Sequence, residues 1–146
     1  MKGNEDIKSV IGIDPQEITG AVAPGTAVEG PAVDRQGFEE ALVNFQHGAC
    51  SEGGTLSCKV QESDTTTDGD FADITGAAFA NVAGGALVTS GGYVGRLNLA
   101  GRKRYIRVVA TLVGVDETAL VSALVSLHQA RELPVSQVND LAFDVS

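Results

Sequence analysis

At 146 residues the chain has the length of one ordinary domain. Its 43% hydrophobic residues support a packed core, and no apolar run approaches the length of a membrane span. A formal charge of -9, from 19 acids against 10 bases, argues against a surface built for nucleic acid.

The polar start, Met1 to Asp6, is followed by no apolar leader segment, so a cytosolic origin is expected. Residues 1–33 read as an extended N-terminal arm rather than part of a core. The stretch Ile18 to Pro31 carries three Gly and two Pro, which exclude helix and interrupt regular strand. The arm nevertheless keeps Val10, Ile11, Ile13, Ile18, Val22 and Val28, so it is expected to pack on a surface, its own domain or a neighbouring subunit.

From Phe38 the pattern becomes that of strands. Phe38 to His47 places Ala41, Val43 and Phe45 on one parity; Thr55 to Gln61 alternates Leu56, Cys58 and Val60 with Ser57, Lys59 and Gln61. With Ser51 to Gly54 as the turn, the two predict a hairpin. Asp64 to Asp70 is a loop, Phe71 to Ile74 a short extended piece, and Gly76 to Gly85 has no assignment. Ala86 to Thr89 is a weak strand, Gly91-Gly92 a turn, Tyr93 to Leu99 a strand, and Ala100 to Lys103 a turn. Arg104 to Val113 is the strongest strand, with Ile106, Val108, Ala110 and Leu112 on one face and Arg107 and Thr111 on the other. Ala119 to His128 has helical propensity, but its alternation favours a strand. Leu133-Pro134-Val135 ends the core, leaving a tail. Seven or eight short strands and no convincing helix predict an all-β fold, an antiparallel β-sandwich or small barrel. The domain divides as arm 1–33, sandwich 34–136 and C-terminal tail 137–146.

Charge is uneven. Residues 1–73 hold 14 acids and four bases, and half of all bases lie between Arg96 and Arg107. Such an asymmetry suits self-association or docking on a charged surface; the alternative is an ordinary solvated turn.

No pattern supports catalysis or a cofactor. His47 and His128 lack further ligands at zinc-like spacing. Asp64 to Asp73 resembles a calcium loop only faintly, since residues 65–67 are Thr and no Glu closes it. A solvated turn whose Asp side chains accept backbone N–H bonds explains it better. Cys50 and Cys58 match no metal or redox motif; two free thiols are expected, with a disulfide across the turn as the alternative. Glu39 and Glu40 are adjacent, which in a strand sends them to opposite faces. Arg102-Lys103-Arg104-Tyr105 falls short of a nucleic-acid groove. No catalytic residue, metal or cofactor is assigned.

Three runs carry a resemblance. They are Val33 to Val43; Lys59 to Asp64 with Phe71 to Ala77; and Leu97 to Val108 with Ala130 to Val135. In order and spacing they are similar to small virion proteins of tailed bacteriophages, the capsid decoration or cement proteins, over about residues 33–135. The resemblance implies a β-sandwich or jelly-roll module on the capsid exterior, often trimeric, made in the bacterial cytoplasm. Its partners would be the major capsid protein and itself, not nucleic acid or membrane. On that reading Ile11, Ile13, Ile18 and Val22 of the arm and the turn Arg102, Lys103 and Arg104 are expected to carry the contacts. A second class is a recognition module of a phage neck or tail that binds a glycan or cell-surface ligand. Sugar sites stack on exposed aromatics, and the chain has no Trp and only Tyr93 and Tyr105.

Overall fold

Strand alternation governs the architecture, and the computed structural model, which describes residues 6–131, turns it into ten strands. These are β1 (Lys8–Thr19), β2 (Thr26–Glu29), β3 (Val33–Asp34), β4 (Phe38–His47), β5 (Thr55–Ser63), β6 (Ala72–Ala78), β7 (Val82–Ala83), β8 (Gly91–Asn98), β9 (Tyr105–Val113) and β10 (Thr118–Ala130). Single 3-10 turns occupy Asp68–Asp70 and Gly84–Ala86. One sheet has the order β1-β10-β4-β8 and the other β2-β9-β5-β6, with β3 also on β9 and β7 also on β5. Counting β2/β3 and β6/β7 as interrupted strands leaves eight, ordered 1-8-3-6 and 2-7-4-5. That is a jelly roll, in which nearly every connection crosses from one sheet to the other.

Each sheet turns one apolar face inward. On β10, Ala119, Val121, Ala123, Val125 and Leu127 are buried in strict alternation, which settles its helix-or-strand ambiguity for strand. On β4, Ala41, Val43 and Phe45 stand beside them on the same sheet, and Leu56, Cys58 and Val60 of β5 with Ile106, Val108 and Leu112 of β9 face them from the other. Each Val, Leu, Ile or Phe among them contributes about 1.5–3 kcal/mol by leaving water, and each Ala less.

Several sequence expectations are corrected. β4 and β5 do not form a hairpin: β4 pairs with β10 and β8, and β5 with β9 and β6. Period two says that both strands are half-buried, not that they are neighbours. The local hairpin is β5–β6, across the Asp64 to Asp70 loop. Ala86 to Thr89 is no strand; it follows the 3-10 turn and delivers Leu87, fully buried, whose carbonyl accepts from the Cys50 N–H at 2.8 Å. Gly91-Gly92 is not a turn but the start of β8.

The largest correction concerns the expected arm. Lys8–Thr19 is a strand of the first sheet, paired with β10 from Lys8↔Leu127 to Thr19↔Thr118, and β2 is paired with β9. Over its described residues, 6–33, the extended segment therefore packs on its own domain, continuous with the sheets that follow. The register of β1 slips twice, between Ile11 and Ile13 and between Ile13 and Gln16. Each bulge inserts residues without partners and resets which parity faces inward. The tail 137–146, and Leu133-Pro134-Val135 before it, lie outside the described residues.

Candidate interaction surfaces

The seven residues expected to make contacts separate into three environments. Ile13 and Ile18 are 1% and 2% exposed and belong to the protein's own core, which corrects their expected role as contact residues. Ile11 is 45% exposed on the outer face of the first sheet. Val22 is 68% exposed in the β1–β2 connection, where Ala21 accepts from the Gly114 N–H and Val115 is the nearest exposed apolar residue in sequence to that corner. From Ile11 to the end of β1 is about 25 Å, so the two are not one patch.

The basic turn is bound by the protein itself. Arg35 donates to the carbonyls of Arg102 and Lys103, and Glu62 takes the Lys103 N–H at 3.1 Å and the Arg102 guanidinium at 3.5 Å. Arg104 bonds both oxygens of Asp34 and lies 5.2 Å over the Tyr105 ring. Beyond the turn, Arg96 pairs with Glu40, Arg131 with Glu39 and Arg107 with Glu29 and Asp68. All these carboxylates come from the acidic half of the sequence, so much of the charge asymmetry is resolved within one chain. Among the described residues, Lys103 is the turn's one basic side chain without an ion pair.

The Arg104 guanidinium bonded to Asp34 holds that carboxyl below its ordinary value of 3.8 and raises its own. A depressed carboxylate stabilises the fold fully above 3.8, and the contribution is lost as pH falls through the lowered value. The pair is solvent-exposed, so its effect on stability is small. In an NMR titration the Asp34 midpoint is expected below 3.8, returning toward it in Arg104→Gln.

Arg107 lies on the face of β9 expected from its alternation, opposite Ile106 and Val108, and is buried there. It is 4% exposed on the outer face of the second sheet. It donates to Gln61 Oε1 at 2.8 Å, to both oxygens of Glu29 at 3.1 and 3.2 Å and to Asp68 Oδ1 at 3.3 Å, and its guanidinium lies 4.3 Å over the Phe71 ring. One side chain thus ties β2, β5 and the Asp64 to Phe71 loop to β9. Arg107→Leu removes several charge-assisted bonds, but Glu29 and Asp68 are exposed enough to rehydrate. The expected loss is about 2 kcal/mol in urea unfolding, with new protease cleavage confined to the loop.

In that loop the Thr65 and Thr67 N–H groups are taken by Ser63 Oγ and Thr65 Oγ1, rather than by Asp side chains as the sequence suggested, those of Asp70 and Phe71 by the Thr67 and Asp68 carbonyls, and Thr65 donates to Asp70 at 2.6 Å. Among the described residues no three His, Cys, Asp or Glu converge on an ion-sized site.

The other residues weighed for chemistry are buried or engaged. Cys50 and Cys58 are free and buried; burial raises both thiols, Cys58 to about 12, which suppresses the nucleophilic thiolate. His47 is 3% exposed, stacked 5.8 Å from Tyr93, with Nδ1 2.9 Å from the Gly48 carbonyl. A recess of about 460 Å³ beside it is walled by Gln16, Gln46, Ser90 and Leu120, which offer no acid–base partner. Glu39 and Glu40 are each engaged by an arginine. Tyr93 is half-buried against Phe45 and Phe79, and Tyr105 lies under Arg104, so neither is a free stacking platform for a sugar.

What remains is the outer face of the first sheet. Register places Ile11, Leu124, Asn44 and Val94 in one row across all four strands, and Ser9, Ser126, Leu42 and Arg96 in the next. Leu124 is 41% and Val94 66% exposed, and Leu120 is exposed nearby. Arg96, paired to Glu40, is the only charge in these two rows, whereas the opposite sheet carries the ion pairs of Lys59 and Arg107. A flat, nearly uncharged face on a chain of -9 is suited to contact with another protein.

No family model and no curated protein matches the sequence. Solved structures do share its fold. That of the infectious bursal disease virus Gx strain superposes at TM-score 0.58 with 10% identity, over 85% of this chain and 32% of that one. The Gt strain structure gives 0.58 with 11% identity, over 84% and 31%. The VP2 subviral particle of the same virus gives 0.56 with 8% identity, over 86% and 33%. The chain spans about a third of the length of these chains, and the likeness is one of fold: an antiparallel jelly-roll sandwich.

Proposed function

We propose that the chain is a non-enzymatic structural virion protein that binds the exterior of a tailed-phage capsid and stabilises it, as a decoration or cement protein. Its partners on this reading are the major capsid protein and further copies of itself, grouped as a homotrimer. The observation that supports it best is the jelly roll itself, which also occurs within solved viral particle structures. The fold is joined here to a basic cluster most of whose arginines are engaged in internal ion pairs, and, among the described residues, to a sheet face with a single charge in its two central rows. Many weak contacts repeated over a shell would give such a face its avidity.

The test uses heads of the phage that carries the gene, prepared without it. Purified chain added back is expected to co-sediment with expanded heads at fixed stoichiometry and to raise their resistance to heat. Failure to bind heads, with recovery of the protein in neck or tail fractions of intact virions, would overturn the placement.

A further inference from the structure

We propose that β8 pairs antiparallel with the β8 of a second copy across a two-fold axis at Val94. The two four-stranded sheets then become one sheet of eight strands. This contact rests on edge geometry and does not depend on the virion reading; it can link copies within or between larger assemblies.

Every open sheet edge presents unpaired N–H and C=O groups, and folded proteins guard them. Three of the four edges here are guarded. β1 carries Pro15, two bulges and the charges of Lys8, Asp14 and Glu17. β2 has four residues, lies between Pro24 and Pro31 and ends in Glu29. β6 is broken by a bulge and by Gly76 at φ 83°. β8 differs: it runs eight residues in unbroken register on β4, from Glu40↔Asn98 to His47↔Gly91, with no proline and a single charge, Arg96. Among the described residues it pairs on one side only.

The free groups can be identified. The Leu99 N–H donates to the Glu39 carbonyl at 2.9 Å. Alternation along an antiparallel strand then turns the backbone groups of odd-numbered residues toward β4 and those of Gly92, Val94, Arg96 and Asn98 outward. A two-fold axis at Val94 makes Val94 face Val94 as a hydrogen-bonded pair and Gly92 face Arg96 as the next.

The sequence of β8 is self-complementary in this register. Gly95 stands opposite Tyr93, Gly92 opposite Arg96 and Gly91 opposite Leu97, so no two bulky residues of these pairs collide, and Gly92, with nothing within 4 Å of a Cβ, leaves open space for the Arg96 of the other copy. A cavity of about 230 Å³ opens beside Gly95 between β8 and β6, at the same edge that the second copy's β8 would cover. Val94, 66% exposed, is covered by its counterpart, and the row Ile11–Leu124–Asn44–Val94 continues across the axis. No carboxylate of β8 meets another, since the strand has none. Two chains of -9 therefore meet where their acidic charge is least opposed.

The test is disulfide trapping in the full-length protein. Facing Cα atoms about 5.5 Å apart in a hydrogen-bonded pair suit a disulfide. Val94→Cys is expected to give a covalent dimer on mild oxidation, the native thiols being buried. Arg96→Cys alone is expected to give none, but to cross-link when mixed with Gly92→Cys. Val94→Pro removes an outward N–H and leaves the β4 ladder intact, and Val94→Lys sets like charges across the axis. Both are expected to abolish the dimer seen by light scattering while the thermal melt stays within a few degrees. A Val94→Cys protein that stays monomeric, or an Arg96→Cys protein that cross-links equally well on its own, would overturn the proposal. So would wild-type protein that remains at 15.0 kDa at several hundred micromolar.

Discussion

Gly30→Ala is expected to destabilise the fold by about 3 kcal/mol or more, enough to leave little folded protein at 37 °C. Gly30 is buried where the chain leaves β2 and passes under β1, and its N–H donates to the Val108 carbonyl at 2.8 Å. A Cβ there would overlap the Gly12 carbonyl oxygen and lie 3.0 Å from that of Val108. Both obstacles are backbone, from strands in different sheets, so neither can turn away as a flexible side chain would. Gly69→Ala is the control: nothing lies within 4 Å of a Cβ at that site, and the midpoint of urea unfolding is expected to move little.

Phe45→Ala is expected to cost about 4 kcal/mol and to lower the melting temperature by about 10 °C. The ring is 1% exposed near the C-terminal end of β4, with Phe79 at 6.1 Å and Tyr93 at 6.4 Å between ring centroids. Those neighbours come from the β6–β7 connection and from β8, so the cavity opens between the two sheets and truncation strips both rings of a packing partner. Differential scanning calorimetry of Phe45→Ala beside Val88→Ala measures it; Val88 is 45% exposed, and its truncation should shift the transition by a degree or two.

These two sites show what a sequence can and cannot disclose. Phe45 was legible because β4 runs without a bulge, so its alternation maps onto burial. The same holds for β5 and β10; on β9 the inner face alternates, but Arg107 and Val109 of the outer face are buried as well. Gly30 was not legible as a crossing point, because its contact is with a carbonyl eighteen residues earlier on the other sheet. β1 was misread as an arm for a related reason. Val10 and Ile18 have even numbers and Ile13 an odd one, so no single parity is apolar until the slips after Ile11 and Ile13 are known. Pairing partners were hidden throughout, because a jelly roll joins strands far apart in sequence: β1 with β10, β4 with β8 and β10, β5 with β9.

The surfaces were partly legible. The basic cluster was visible as composition, but its partners, Glu29, Asp34, Glu40 and Glu62, are scattered over the acidic half and reach it only through the fold. Arg107 was assigned its correct face; its burial comes from Phe71 and Asp68 closing over it, which no local pattern encodes. The row of Ile11, Leu124 and Val94 exists only in the register of four strands. In each case chemistry local to a strand could be read, and chemistry created by pairing could not.

The central claim is that this protein acts by assembling rather than by reacting, and the mass of the full chain in solution tests it most directly. Light scattering across a concentration series, at low and physiological salt, is expected to show reversible growth from 15.0 kDa to defined multiples. Association should strengthen as salt screens the -9 charge. A monomer that persists at every concentration and salt would contradict the account.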